Sequence, residues 1–252
     1  MADELAEQVT GVGALVEPAR RALYVYVAAQ PDAVSREQAA KAVGVPLHSA
    51  KFHLDRLVQE DLLEVEFRRL SGRTGPGAGR PSKLYRRSSR QISVSLPERR
   101  YDVAGDVLAA AIDRSIRDGV PVAEAVREAA VAEGRSIAGA FAEGARSHAG
   151  PAVSEGTAGS GDSPLQRTAE VLARHGYEPR TSAPEICLAN CPFDRLANKH
   201  TELVCSMNLA LIDGVIDGLD VPTLSAHLAP QPGFCCVKVT ERSTSAKAEP
   251  RA

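Results

Sequence analysis

Hydrophobic positions along the chain first take helical spacing over Pro18–Gln30, with Leu23, Val27 and their neighbours on one face and Pro in the first turn. Residues 31–34 predict a turn. Ser35-Arg-Glu-Gln38 has the pattern of a capping box and opens a short helix to Val43, with Gly44 placed to end it. Val45-Pro46 then starts a third helix that runs to about Glu60. Its Leu54, Leu57 and Val58 point to a core that Leu62 and Leu63 extend. Two helices joined by a short turn carrying Gly have the spacing of a helix-turn-helix. The period changes next. Leu63–Leu70 alternates, Lys83–Arg87 is its partner strand, and the Gly- and Arg-rich residues 71–81 form the tip of a hairpin, or wing.

Downstream, residues 97–148 are rich in Ala and predict two helices, Tyr101–Arg117 and Val122–His148. Small side chains let helices approach closely, either within a domain or between two copies. A reader of two-fold operators needs paired recognition helices, which favours the second role. Gly150–Ser163 reads as a linker. Pro164–Gly176 predicts a helix, Tyr177–Cys187 one or two short strands, and Pro192–His200 a short helix. A longer helix covers Thr201–Leu219, with Leu203, Met207, Leu211, Val215 and Leu219 as its buried face. Phe234–Thr240 is a last strand. No internal repeat is present.

The expected fold is α+β. It comprises an N-terminal extension (1–17), a winged helix-turn-helix (18–96), a helical dimerisation region (97–148), a linker (149–163), an α/β sensor domain with a cysteine cluster (164–240) and a polar tail (241–252).

Composition narrows the function. The 252 residues carry a net charge of −2, with 44% hydrophobic and 25% charged residues, as in a soluble globular protein. The start, MADELAEQVT, lacks the basic and apolar runs of a signal peptide, and no apolar stretch is long enough for a membrane span. The expectation is a cytoplasmic protein without a membrane partner. Charge is uneven, however: Glu66–Arg90 holds eight Lys/Arg and one acid. Such a local block suggests contact with a polyanion.

The third helix and the wing supply the means. A recognition helix meets the major groove with short polar and cationic side chains near its N-terminus. Here these are His48, Ser49, Lys51, Phe52 and Arg56. Arg68, Arg69, Arg73, Arg80, Lys83, Arg86 and Arg87 on the wing would contact phosphates, with Arg73 or Arg80 able to enter a minor groove. Aromatics, at 4%, are too few for a single-strand stacking platform, so double-stranded DNA is the expected partner. The stretch SREQAAKAVGVPLHSAKFHLDRLVQEDLL followed by GRPSKLY resembles the ArsR-like winged-helix transcriptional regulators.

All five cysteines fall late, at 187, 191, 205, 235 and 236. In a reducing compartment this grouping points to a metal or redox site. Four thiolates suit a tetrahedral zinc or an iron–sulfur cluster. Cys191 precedes a helix-opening Pro192 and Cys205 is expected in the first turn of the next helix, where positive helix ends favour thiolates. Strand alternation puts Cys235 with Val237 and Val239, so Cys235 is the preferred ligand and Cys236 the alternative. His200 is a possible non-thiolate ligand, and Asn190 and Asp194 flank the site. Cys187-x3-Cys191 lacks the two-residue gap of thioredoxin-type enzymes, and no phosphate loop or nucleophile elbow occurs, so catalysis is not expected.

The run CLANCPFDRLANKHTELVCSMNLALIDGVIDGL with PGFCCV resembles the SufR branch of these regulators. The resemblance implies a homodimeric repressor of iron–sulfur cluster assembly genes without a small-molecule substrate. It also implies a [4Fe-4S] cluster on Cys187, Cys191, Cys205 and Cys235. A [2Fe-2S] cluster, Zn2+ or a thiol-redox switch on the same scaffold is the alternative.

Overall fold

Side-chain caps fix the helix ends of the N-terminal unit, residues 1–94. The computed structural model describes residues 2–69, 81–148 and 163–242, and a second unit covers 95–252. Helix α1 spans Ala2–Ala14, so the N-terminal extension is helical along most of its length. The Glu17 carboxylate accepts from the Ala19 and Arg20 backbone N–H groups at 3.1 and 2.6 Å and caps α2, Pro18–Ala28. Ser35 and Gln38 form the expected reciprocal capping box at the start of α3, Arg36–Val43. Gly44 ends it with φ at 75°, a left-handed conformation that costs Gly little. Helix α4 is Leu47–Gln59.

The hairpin pairs β2 (Leu63–Arg68) with β3 (Ser82–Arg87), antiparallel, from Leu63 opposite Arg87 to Arg68 opposite Ser82. Where the sequence predicts only a turn, Val34–Ser35 forms a short strand, β1, against Leu84 and Tyr85. The sheet order is therefore β1-β3-β2. Leu23, Leu54, Leu57, Leu63 and Tyr85 fill the core between helices and sheet. Arg73 and Arg80, at the wing tip, lie outside the described residues.

In the second unit, α5 (Tyr101–Asp118) and α6 (Val122–His148) match the two predicted Ala-rich helices. They share one core with the downstream elements rather than forming a region of their own. Those elements are α7 (Pro164–Ala173), β4 (Pro179–Ser182), β5 (Glu185–Leu188), α8 (Asp194–Lys199), α9 (Thr201–Gly218), β6 (Leu224–Leu228) and β7 (Val237–Glu241). The strands form one antiparallel sheet in the order β4-β5-β7-β6. Strand β6 has no counterpart in the sequence reading, because Leu224–Leu228 is short and only its first residue is buried.

Helices α6 and α9 touch backbone to backbone. A Cβ on Gly134 would meet the Leu211 carbonyl, and one on Gly214 the Val131 carbonyl. The small residues of α6 are thus used inside the unit. Helix α9 is buried on nearly every side, including Val204, Ile212 and Ile216 beyond the predicted stripe. Leu203 is the exception to that stripe: it is 42% exposed, beside an open groove between α6 and α9. Among the described residues no helix is long and apolar enough to cross a membrane.

Candidate nucleic-acid interface and candidate thiol centre

Burial divides α4 into two faces. Ala50, Leu54 and Leu57 are fully buried. His48, Lys51, Phe52 and Arg56 are exposed and Ser49 is half-buried, so the predicted reading residues share the outward face. Phe52, 65% exposed, offers an apolar edge suited to a thymine methyl group.

An acid organises this surface. Asp55 lies 2.5 Å from the Lys83 ammonium, accepts from the Tyr85 hydroxyl at 3.0 Å, and stands 3.8 Å from Lys51. It thereby links the recognition helix to the wing strand. Burial pushes the Asp55 carboxyl up, but the Lys83 and Tyr85 hydrogen bonds outweigh it and hold the group below the usual aspartate range. Burial and the same bond push the Tyr85 phenol up. The other cations are also paired at the surface: Arg56 with Glu60, Arg68 with Glu66 and Arg86 with Glu64. Exposed pairs of this kind contribute at most about 1 kcal/mol, so a phosphate can displace the acids. Arg69 and Arg87 are exposed and have no ion pair with a described residue.

The thiols come from three places. Cys191 lies in the loop after β5. Cys205 is the fifth residue of α9, just past the first turn in which it was expected. Cys235 and Cys236 lie in the bend before β7. The strand begins at Val237, not Phe234, so strict alternation does not govern the cysteine pair. The Cys191 and Cys236 thiols donate to Cys235, and Cys236 also hydrogen-bonds Cys205. Among the described residues these pairwise contacts do not form a ready-made metal shell of three or more His, Cys, Asp or Glu.

Further N–H groups point at two of the sulfurs. Cys191 accepts from the Phe193 backbone, and Cys235 from the Val237 backbone and from the Asn208 amide at 3.2 Å. Asn208, 1% exposed, accepts in turn from the buried Tyr177 hydroxyl, which fixes the orientation of its amide. These bonds, led by those from Cys191 and Cys236, hold the Cys235 thiol well below its ordinary range despite burial. Sharing that charge pushes the Cys191 and Cys236 thiols up. The arrangement can bind a thiophilic metal by releasing protons, or exchange disulfides through Cys235.

Cys187 stands apart. Along β5, Ile186 and Leu188 are fully buried while Glu185 and Cys187 are half-buried. Cys187 pairs in register with Lys238 and Arg180, and its sulfur lies 3.6 Å from the Glu185 carboxylate. His200 is exposed beside the α6–α9 groove. Asn190 is a fastener: its amide donates to the Glu98 and Gly176 carbonyls, and its oxygen accepts from Arg99. Asp194 lies 4.0 Å from Arg99.

The family model described as a helix-turn-helix domain matches residues 15–66, from just after α1 through α4 into β2. The chain carries a helix-turn-helix domain. No curated protein and no solved structure matches the chain. Within the helix-turn-helix domain, the sequence pattern separated the outward face of α4 from its buried face but missed Asp55. The Lys51–Asp55 spacing of four was a readable signal, whereas the bonds from Lys83 and Tyr85 span about thirty residues and were not. In the second unit it missed Asn208 and Tyr177, whose polar groups inside an apolar pattern were the available clue.

Proposed function

We propose that the chain is a DNA-binding transcriptional repressor that senses iron–sulfur cluster status through a thiolate-bound [4Fe-4S] cluster and controls cluster assembly genes. The observation that carries this reading is a chain of pairwise thiol contacts linking Cys191, Cys205, Cys235 and Cys236 from three places in a chain with a helix-turn-helix domain. The donor chemistry suits the group: the thiols interact in pairs, Cys191 and Cys236 each with Cys235, and N–H groups of Phe193, Val237 and Asn208 support negative charge on Cys191 and Cys235. When bound, such a cluster supplies an oxygen-labile crosslink between the elements that hold it. The resemblance to the SufR branch supports the choice of cluster and of target genes.

The residues that carry the signal lie next to the Cys191 loop. Arg99 donates to the Cys191 carbonyl at 2.9 Å, and the Arg100 N–H to the Pro192 carbonyl at 3.1 Å. Both follow within six residues of Val94, where the N-terminal unit ends. Loss of order at Cys191 therefore loosens the chain that leaves the DNA-reading unit. The working form is a homodimer. Ile112 and Ile116, 51% and 80% exposed one turn apart on α5, support a second copy there.

Anaerobic purification, with an absorbance spectrum and iron and sulfide counts, tests the reading. A sulfur-to-iron charge-transfer band with matching iron and sulfide is expected. Equimolar zinc without sulfide would instead support the alternative, a zinc-switched repressor. The chain of thiol contacts through Cys235 also favours a thiol-redox switch, which air oxidation and disulfide mapping would detect.

A further inference from the structure

The groove between α6 and α9 arises from the way the two helices meet. Gly134 lies against Leu211, Gly214 against Val131, and Gly218 against Ala138 and Arg135. Residue numbers rise together along the contact, so the helices run parallel. The glycines let the backbones touch at this crossing. Nearer the N-terminal ends, Val126 and Arg127 of α6 stand with Leu203 and Met207 of α9, and these larger side chains leave a wedge of about 680 Å³ between the helices. Sites for small organic molecules span about 300–1,000 Å³. Val126 and Met207, both buried, give the wedge an apolar floor, and the exposed Leu203 forms part of its rim.

Arg127, Glu202 and Asp213 are the charged side chains of the groove, with His200 at one end. Two of the three have a counterpart. Glu202 lies in the first turn of α9, where the positive helix end suits an acid. The Ala226 N–H and the Arg242 guanidinium favour the charged form of Asp213, though burial holds its carboxyl above the usual aspartate range. Arg127 is different. It stands seven residues before Gly134, two turns along the same face of α6 that meets α9. It makes no ion pair or hydrogen bond with a described residue.

We propose that this groove binds a small amphiphile with an apolar body and one anionic head, such as a medium-chain carboxylate. The head pairs with Arg127, whose planar guanidinium matches a carboxylate through two parallel hydrogen bonds. The body lies along Leu203, Met207 and Val126. The thiols are elsewhere: Cys205 is two residues from both Leu203 and Met207, and so on the other side of α9. Binding in the groove needs no metal at the thiols.

Decanoate, decanol and decylamine share a tail and differ in the head, so they serve as probes. Each is titrated calorimetrically into the reduced, metal-free full-length chain, below the concentration at which it self-associates. Decanoate is expected to bind once per chain, about tenfold or more tightly than decanol or decylamine, as one charge-assisted contact provides. Arg127→Gln should remove that advantage and leave decanol binding as in the wild type. Leu203→Gln should weaken decanoate and decanol alike. Both side chains are exposed, so neither change should move the unfolding temperature by more than about 2 °C. Unchanged decanoate affinity in Arg127→Gln, or equal affinity for decanoate and decylamine, would overturn the assignment. The absence of saturable decanoate binding to the wild-type chain would overturn it as well.

Discussion

The two units place their chemistry in opposite ways. In the N-terminal unit the candidate contacts follow one another along α4 and the hairpin, face outward, and sit on ion pairs that solvent weakens. In the C-terminal unit the thiols come from places up to 45 residues apart, are held inward, and depend on buried hydrogen bonds. The first arrangement suits a polyanion that arrives from outside. The second suits a small group held within the protein, and it makes that site sensitive to core packing. Function should therefore fail for different reasons in the two units.

The largest contrast should come from Gly214→Val. Its side chain would strike the Val131 carbonyl at the α6–α9 crossing. Overpacking of this kind costs about 3 kcal/mol. Thermal unfolding should show the C-terminal unit destabilised and its metal uptake lost, while the metal-free variant keeps wild-type affinity for non-specific duplex. Loss of that affinity would show that the units do not fail separately. Leu54→Ala is the converse. It empties a fully buried site in the N-terminal core and should cost about 2–4 kcal/mol, abolishing duplex binding at lower temperatures than metal uptake.

Smaller effects sharpen the picture within the helix-turn-helix domain. Ser35→Ala removes half of the capping box of α3 and should lower stability by about 1 kcal/mol in urea titration. Asp55→Asn should cost less than about 1 kcal/mol near neutral pH, because its pairs are partly solvated. The folded Asp55 carboxyl binds its proton less readily than the unfolded one. Its contribution is therefore full above about pH 4 and fades as pH falls through the lower folded-state value. The wild-type and Asp55→Asn stability curves should converge in acid; parallel curves would remove Asp55 from this role. The variant should also bind non-specific duplex more tightly at low salt, since Lys51 and Lys83 lose a competing anion.

How far the sequence could be read follows the same division. Local signals, Ser35 with Gln38, Gly44, and the Leu54–Leu57 spacing, located α3 and α4 to within a residue or two, whereas α1 carried no such signal. The late cysteine grouping pointed to a site but not to how its members meet. Which face Cys187 takes depends on the partnering of β5 with β7, a contact across some fifty residues. The start of β7 depends on the path of the preceding bend, and Leu224–Leu228 became a strand only because β7 offers it an edge. Helix α9 reads as amphipathic, yet α6 buries its second side through small residues far upstream.

The most direct test of regulation by the thiol centre uses one anaerobic sample of the full chain, loaded with iron and sulfide and then stripped with a chelator. Affinity for a duplex from upstream of its own coding sequence is measured in both states. The loaded chain is expected to bind about tenfold more tightly or better, within the usual range for coupling between two sites. Equal affinities in the two states would contradict it.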